Sequence, residues 1–227
     1  MAAAADKPGA LTLEQVHEVM SELSRRRPVF HSEADFQHAF AQLLAKMHPN
    51  LAVRLEIPYR SIGSTEPDSR TVVDLYCHDL KRGAATTIEF KYKTHRWTGT
   101  IEGEDVRLLY QSAADVGRRE FVKDIARLER WSDAEGGTAF AIFLTNEEGY
   151  WSAPTGQRTT NDAAFRIHEG AELAGELLWA NNVHSRNNRT LRGSFPMRWV
   201  DYSDLSEHGD GQRKGNRLRY VVAAIDG

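Results

Sequence analysis

The sequence predicts an α/β protein with a mixed central sheet, and three observations carry that prediction. Apolar residues recur at helical spacing over residues 12–26 and again after Ser32. Three strand-like segments follow between residues 51 and 93. A helical pattern over about 115–132 then leads into the nearly all-apolar run 138–145, which is typical of a strand buried on both faces.

Both early helices have recognisable starts. Thr12 and Gln15 form a capping-box pattern at the first, and Ser32 is a good N-cap for the second, with Glu33 in its first turn. Residues 1–11 contain Ala, Pro and Gly without apolar periodicity and are predicted to be disordered.

The middle of the chain reads as strands separated by turns. Strands are predicted at 51–59, 71–77 and 85–93, with a Gly-, Ser- and Pro-rich loop at 61–70 and a turn at 79–83. The polar segment 98–104 is predicted to be a loop, and the spacing of apolar residues over 106–113 predicts a short helix.

The last third of the chain is predicted to be rich in β-structure. Strand-like segments occur at 175–180, 191–202 and 218–225, and the Asn-rich segment 181–189 reads as a hairpin loop. No internal repeat or linker is recognisable, so residues 12–227 are expected to form one domain. Its core is expected at about 32–146 and its β-rich extension at about 147–227.

Composition excludes several functional classes. The 227 residues, 41% of them hydrophobic, can form a sizeable core but contain no apolar run long enough to cross a bilayer. No secretory signal is readable and Cys77 is the single cysteine, so a cytoplasmic location is expected and a Cys-based zinc site is excluded. The net charge of −3 means that any nucleic-acid binding must use a local basic patch.

A set of charged residues on two neighbouring strands points to metal chemistry. Asp74 lies on one predicted strand and Glu89-Phe90-Lys91 on the next, where Glu89 and Lys91 share a face. A short turn joins the strands, so pairing brings Asp74 and Glu89 within reach of one divalent cation. Two carboxylates and a backbone carbonyl, that of Phe90, are the oxygen ligands that Mg²⁺ takes. Lys91 beside them can hold or deprotonate an attacking water.

In order and spacing, these residues resemble the PD-(D/E)XK nuclease superfamily, whose core is an αβββαβ unit with a mixed central sheet. The resemblance covers about residues 32–146 as a pattern. It implies a restriction-endonuclease-like fold, Asp74 and Glu89 as the Mg²⁺ ligands (with Mn²⁺ as a substitute), Lys91 as the catalytic lysine, and Glu33 as a further catalytic or metal-binding acid. Val73 stands where the signature has Pro.

The resemblance also implies a metal-dependent nuclease acting on DNA, with defence against foreign DNA as one role. A homodimer is a further expectation, because restriction-like enzymes often dimerise to cut both strands, but no dimer seam is recognisable. Two other classes stay open. One is a non-catalytic module that keeps the fold and binds nucleic acid or protein, and the other is an interaction or immunity protein that contacts no nucleic acid.

Phosphate contacts are predicted at two places near this site. Lys93 and Arg96 lie in a segment that interleaves basic and aromatic residues, and Lys123 and Arg127 share a helix face. An ordinary strand end explains the first pair equally well, and a solvated face with Asp124 and Glu129 paired nearby explains the second. The best candidate for a basic surface is the C-terminal set Arg186, Arg189, Arg192, Arg213, Lys214, Arg217 and Arg219.

Overall fold

The computed structural model describes residues 9–58, 72–111, 113–135, 137–156 and 159–225. The loop predicted at 61–70 lies outside these ranges. The described helices are α1 (Leu13–Arg26), α2 (Glu33–Met47) and α3 (Ala114–Glu135). The strands are β1 (Leu51–Pro58), β2 (Val72–Asp79), β3 (Ala84–Lys93), β4 (Trp97–Ile101), β5 (Glu104–Leu108), β6 (Thr138–Thr145), β7 (Glu172–Leu177), β8 (Arg189–Pro196), β9 (Val200–Asp204) and β10 (Arg217–Ile225).

The predicted α/β class is confirmed by a mixed six-stranded sheet. Its strand order is β1-β2-β3-β6-β10-β9, and only β3 and β6 pair in parallel while every other neighbouring pair is antiparallel. The crossover between the two parallel strands contains α3, which is the connection that a parallel pair requires. Gly137 turns the chain from α3 into β6 with φ of +90°, where a Cβ would lie 2.6 Å from the Ala85 carbonyl oxygen.

Helices cover both faces of the sheet. On one face, Phe36 and Phe40 of α2 pack against Phe90 of β3 with ring centroids 5.1 and 5.2 Å apart. On the other face, Phe121 of α3 packs against Phe143 of β6 at 5.3 Å. Strand β6 is therefore buried on both sides, as its apolar run predicts.

Both predicted helix starts are confirmed. Thr12 and Gln15 form the reciprocal capping box of α1. At α2 the Ser32 hydroxyl accepts a hydrogen bond from the Asp35 amide at 3.1 Å. The first segment is only partly as predicted. Residues 1–8 lie outside the described ranges, but Gly9 bridges to Ala85 and Leu11 is 1% exposed, so a disordered segment extending to residue 11 is wrong.

The predicted loop at 98–104 and helix at 106–113 are wrong, because this region is the β4–β5 hairpin. Glu102 and Gly103 form its two-residue turn with φ values of +52° and +85°, as a tight hairpin turn requires. Burial alternates along β5, with Val106 and Leu108 inside. Leu109, which the helical spacing placed on the buried face, is 61% exposed.

The C-terminal third is β-rich, as predicted, but its strands belong to two different sheets. The predicted strand 191–202 is two strands, β8 and β9, interrupted where Met197 exchanges backbone hydrogen bonds with Gly170 and Ala171. The predicted strand 175–180 begins earlier and ends at Leu177. The hairpin loop joins antiparallel β7 and β8, as predicted. Strands β9 and β10 extend the central sheet, so the extension is not separate from the core sheet.

Candidate metal and phosphodiester site

The predicted acids lie where β2 and β3 separate. Among the described residues the ladder between the two strands runs from Asp79↔Ala84 to Leu75↔Ile88 and stops there. One further step of the same register would place Asp74 opposite Glu89. Strand β2 continues toward its start beside β1 instead, pairing Val73 with Ile57. The edge of β3 beyond Ile88 is therefore without a strand neighbour on the β2 side in the described structure.

Two predicted acids occupy this edge. The Asp74 carboxylate accepts a hydrogen bond from the Phe90 amide at 2.7 Å, and the Glu33 carboxylate accepts one from the Tyr92 amide at 2.7 Å. Glu33 arrives from the first turn of α2, which the phenylalanine contacts hold against β3. The structure thus brings Asp74 and Glu33 to alternate amides of β3, those of Phe90 and Tyr92, and each carboxylate replaces a missing ladder partner.

Glu89 and Lys91 point to the opposite face from Phe90, as the strand period predicts, and there they meet α3. The Lys91 ammonium lies 2.7 Å from Asp124 Oδ2, and the Arg127 guanidinium lies 2.7 Å from Glu89 Oε1. Arg127 also donates to Asp124 Oδ1 at 2.8 Å. Lys91, Asp124, Arg127 and Glu89 therefore form a chain of alternating charges, which we call the α3 ion-pair chain.

Four acids lie near three cations, Lys91, Arg127 and Lys93, so negative charge is in excess. The pKa of Asp74 is raised, first by burial, while the Phe90 amide, Lys91 and a side-chain hydrogen bond to Glu89 oppose that increase. Burial is also the main cause of the raised pKa of Glu33, and the charge of Asp74 adds to it. Burial alone would lower the pKa of Lys91, but Asp124, Glu33 and Asp74 together raise it above its usual value.

The donor set suits a hard divalent cation. The Asp74 and Glu89 carboxyl groups are within hydrogen-bonding reach of each other, and a cation between them would relieve the repulsion that a shared proton otherwise relieves. The Phe90 carbonyl lies on the same edge, and in this structure it accepts a hydrogen bond from Lys91 Nζ at 3.0 Å. No group of three or more His, Cys, Asp or Glu side chains in the described ranges is arranged to hold a metal. The predicted ligand set contains two carboxylates and a main-chain carbonyl, so it has too few such side chains to count as a group of this kind.

Backbone strain occurs beside the same acids. Glu56 of β1 has φ of +50°, and it lies between Leu55 and Ile57, which pair with Leu75 and Val73. Asp74 is the residue of β2 that faces this irregularity. A glutamate in the left-handed region is uncommon, and such strain clusters at functional sites.

The predicted phosphate contacts separate into two kinds. Arg127 is committed to the α3 ion-pair chain and its side chain is 14% exposed, whereas Lys123 is 47% exposed and lies 3.5 Å from Glu120. The shared helix face of Lys123 and Arg127 thus gives only one exposed cation. Lys93 is half-buried at the end of β3, and Arg96 is exposed.

The predicted C-terminal basic surface is not continuous. Arg192 donates to the Glu129 carbonyl at 2.9 Å, and Arg219 lies 2.8 Å from Asp201. Arg186 and Arg189 belong to the β7–β8 hairpin. Arg213, Lys214 and Arg217 lie together near the start of β10 and line a separate cleft.

Asp124 has a larger role than the sequence predicts. We expected it only as a neighbour that neutralises a solvated face, yet its side chain is 5% exposed and joins Lys91 to Arg127. Glu129, the other acid expected there, accepts hydrogen bonds from the Arg192 and Gly193 amides instead. The available signal was the spacing of Asp124 and Arg127, three residues apart on a helix that must cross back over the strand bearing Lys91.

Comparisons with protein-family models, with curated proteins and with solved structures find no match to this chain. Within the described ranges, none of the helices combines the length and apolar character needed to span a membrane.

Proposed function

We propose that this protein is a Mg²⁺-dependent nuclease that hydrolyses phosphodiester bonds of DNA, with a restriction-endonuclease-like core. The observation that carries the proposal is the meeting of Asp74 and Glu89 at the point where β2 and β3 separate. Glu89 is buried, Asp74 is half-buried, and the two carboxyl groups are within hydrogen-bonding reach of each other. Lys91 lies two residues after Glu89 on β3.

In this proposal Asp74, Glu89 and the Phe90 carbonyl hold the cation. A bound Mg²⁺ would polarise a phosphate oxygen and lower the pKa of a coordinated water. Glu33 fixes the edge of β3 through the Tyr92 amide, which keeps the Phe90 carbonyl in place. Hydrolysis breaks one P–O bond, and water supplies the hydroxyl to the phosphate and the proton to the leaving oxygen.

Lys91 acts as a hydrogen-bond donor and a positive charge. Because Asp124, Glu33 and Asp74 raise its pKa, it is an ammonium at neutral pH and cannot accept a proton from water. An ammonium can orient the attacking water and neutralise charge that develops on the phosphate. Of the two roles expected for Lys91, orientation is therefore the one we propose.

A second candidate is the non-catalytic binding module, and the α3 ion-pair chain is the observation that favours it. Glu89 and Asp124 already have cationic partners at 2.7 to 2.8 Å, so this part of the site is neutralised without a metal. The nuclease proposal requires Glu89 to use its second oxygen or to exchange Arg127 for the cation. The module requires neither.

The test is cleavage of supercoiled plasmid and of a linear DNA duplex with Mg²⁺, with EDTA, and by Lys91→Ala and Glu89→Gln variants. Lys46→Ala is the matched control, since Lys46 is an exposed lysine near the end of α2. We expect loss of at least about 10³-fold in rate for both site variants and an unchanged rate for the control. Cleavage that persists in EDTA and in both variants contradicts the proposal, and DNA binding without cleavage supports the module.

A further inference from the structure

A polar cleft lies at the carboxyl ends of β3 and β6, against the turn between β9 and β10. Its lining includes Asn146, Trp151, Asp204, Arg213, Lys214 and Arg217. It contains none of the acids of the metal site, and it is formed largely by the C-terminal strands. We call it the β10 cleft.

The floor of the β10 cleft is fixed by one buried side chain. Asn146 is 2% exposed and follows directly after β6. Its amide oxygen accepts from the His95 amide at 2.7 Å, and its amide nitrogen donates to the Gly215 carbonyl at 2.8 Å. Asn146 thus ties the turn that bears the basic residues to the end of β3.

The cleft presents more positive than negative charge. Arg213 and Lys214 are exposed, and neither has an ion-pair partner among the described residues. Two acids, Glu148 and Asp204, also line the cleft. The pKa of Asp204 is lowered first by hydrogen bonds from Ser206 and then by the charge of Arg217. The charge of this acid is therefore already balanced by protein groups. Unneutralised cations on a fixed turn suit a polyanion.

An aromatic ring completes the cleft. Trp151 is half-buried, packs against Trp199 with ring centroids 5.8 Å apart, and has the Arg219 guanidinium 6.0 Å from its ring. Aromatic rings beside cations are the arrangement with which proteins stack bases and neutralise phosphates of a nucleic-acid strand. An acidic protein would be matched by the charges but not by the ring.

The cleft begins close to the metal site along the sheet. Lys91 pairs with Phe143, and two residues further Lys93 pairs with Thr145, which precedes Asn146. Two residues of extended strand span about 7 Å, which is about twice the rise per base pair along the axis of a DNA duplex. A strand that passes Lys91 would therefore reach the β10 cleft within a few nucleotides.

We propose that the β10 cleft binds the sugar-phosphate backbone of a nucleic-acid strand whose next phosphates lie at the Asp74–Glu89 site. This inference rests on the proposed function for the position of the cleaved bond, but strand binding itself needs neither metal nor cleavage. Failure of the cleft and failure of the nuclease are therefore separable when binding is measured in EDTA.

The experiment is fluorescence anisotropy with labelled 30-nucleotide DNA, single-stranded and duplex, in EDTA from 25 to 200 mM NaCl. The test variant is Arg213→Ala/Lys214→Ala/Arg217→Ala. The matched control is Arg25→Ala/Arg26→Ala/Lys46→Ala, which removes the same charge from exposed positions on α1 and α2. Thermal unfolding of each variant shows whether it is folded.

We expect the cleft variant to bind at least tenfold more weakly and the slope of log K against log salt to fall by about 2 to 3, since each of three lost phosphate contacts removes about 0.7 to 0.9. The control variant should bind like the wild type. Equal weakening in both variants would show that only net charge matters and would overturn the proposal. Wild-type protein that binds no DNA at 25 mM NaCl, or a folded cleft variant that binds normally, would overturn it as well.

Discussion

Two buried charged clusters in the described part of the chain differ in how their charges are balanced. One lies on the α3 face of the sheet, and the other lies at the edge of β3, between α2 and α3. In the first, Arg118 lies against Asp162 with side chains 5% and 3% exposed, and Arg166 lies 3.4 Å from the same acid. In the second, at the proposed metal site, Glu33, Asp74, Glu89 and Asp124 lie near Lys91 and Arg127, and Lys93 also acts on Glu33.

Their acids respond oppositely to these surroundings. Burial tends to raise the pKa of Asp162, but hydrogen bonds from Thr160 and Arg118 and the charges of both arginines outweigh it, and the pKa is lowered. Burial raises the pKa of Asp74 and Glu33, and the remaining contacts do not compensate. In the first cluster the acid is satisfied by protein groups, although the buried Arg118 Nε has no hydrogen-bond partner among the described residues. The second cluster is short of positive charge. This difference is what we expect between a structural ion pair and a cation-binding site.

The largest effect should come from breaking the satisfied cluster. Arg118→Met leaves Asp162 buried with Arg166 as its remaining cationic partner, and we expect it to lower the free energy of unfolding by about 3 to 5 kcal/mol. Asp74→Asn keeps an oxygen that can accept from the Phe90 amide and removes a poorly solvated charge, so its stability in EDTA should be unchanged or higher. Urea unfolding at pH 7.5 measures both, and a loss in Asp74→Asn equal to that in Arg118→Met would remove the contrast.

Added cation should stabilise only the unsatisfied cluster. At 100 times its dissociation constant, a ligand that binds only the folded protein adds about 2.7 kcal/mol to the free energy of unfolding. We expect Mg²⁺ to raise the melting temperature of the wild type but not of Glu89→Gln. Asp162→Asn, if folded, should respond to Mg²⁺ as the wild type does, and the same response in Glu89→Gln would place the cation elsewhere.

Asp124 should affect turnover more than binding. Its carboxylate holds Lys91 at 2.7 Å, so we propose it as a positioning residue and expect Asp124→Asn to lower kcat about 10- to 100-fold with little change in KM. Glu120→Gln is the control, because Glu120 lies on the same helix and contacts Lys123 and Arg119 instead. Kinetics of oligonucleotide cleavage measure the split. A change confined to KM would assign Asp124 a different role.

The smallest expected effect is on the pH dependence of stability, which should have opposite signs for the acids of the two clusters. Raised pKa values mean that the folded protein holds protons at Asp74 and Glu33 that the unfolded chain has released, so their contribution to stability falls as pH rises from about 4 through the folded pKa values. The lowered pKa of Asp162 makes its contribution present above the unfolded value of 3.8 and lost as pH falls through the folded pKa. Unfolding midpoints of wild type, Glu33→Gln/Asp74→Asn and Asp162→Asn from pH 3 to 8 in EDTA test this. Parallel curves would contradict the contrast.

Local patterns in the sequence predicted much of the fold and the faces of the site residues. The capping residues Thr12 and Ser32 located both early helices, and the strand period placed Glu89 and Lys91 opposite Phe90. The β4–β5 hairpin was missed because its Glu102-Gly103 turn lacks the usual Asn-Gly signal and a short apolar set fitted helical spacing. Local patterns contain no information on which long-range partners meet.

For that reason the sequence could not show which residues of the site form hydrogen bonds and ion pairs with one another. Whether Asp74 and Glu33 bind amides of β3 depends on where β2 leaves its neighbour, which is a property of the whole sheet. Whether Asp124 and Arg127 reach Lys91 and Glu89 depends on how α3 is rotated against β3. Both the path of β2 and the rotation of α3 depend on tertiary packing, which residue spacing does not predict.

The central claim is that the Asp74–Glu89 pair binds a divalent cation. Its most direct test is Mn²⁺ titration of the wild type, Asp74→Asn and Glu89→Gln, with free Mn²⁺ followed by electron paramagnetic resonance. We expect one bound Mn²⁺ per chain, which Mg²⁺ displaces and whose binding each substitution abolishes. Wild-type protein that binds no Mn²⁺ at millimolar concentration, or variants that bind it as the wild type does, would contradict the claim.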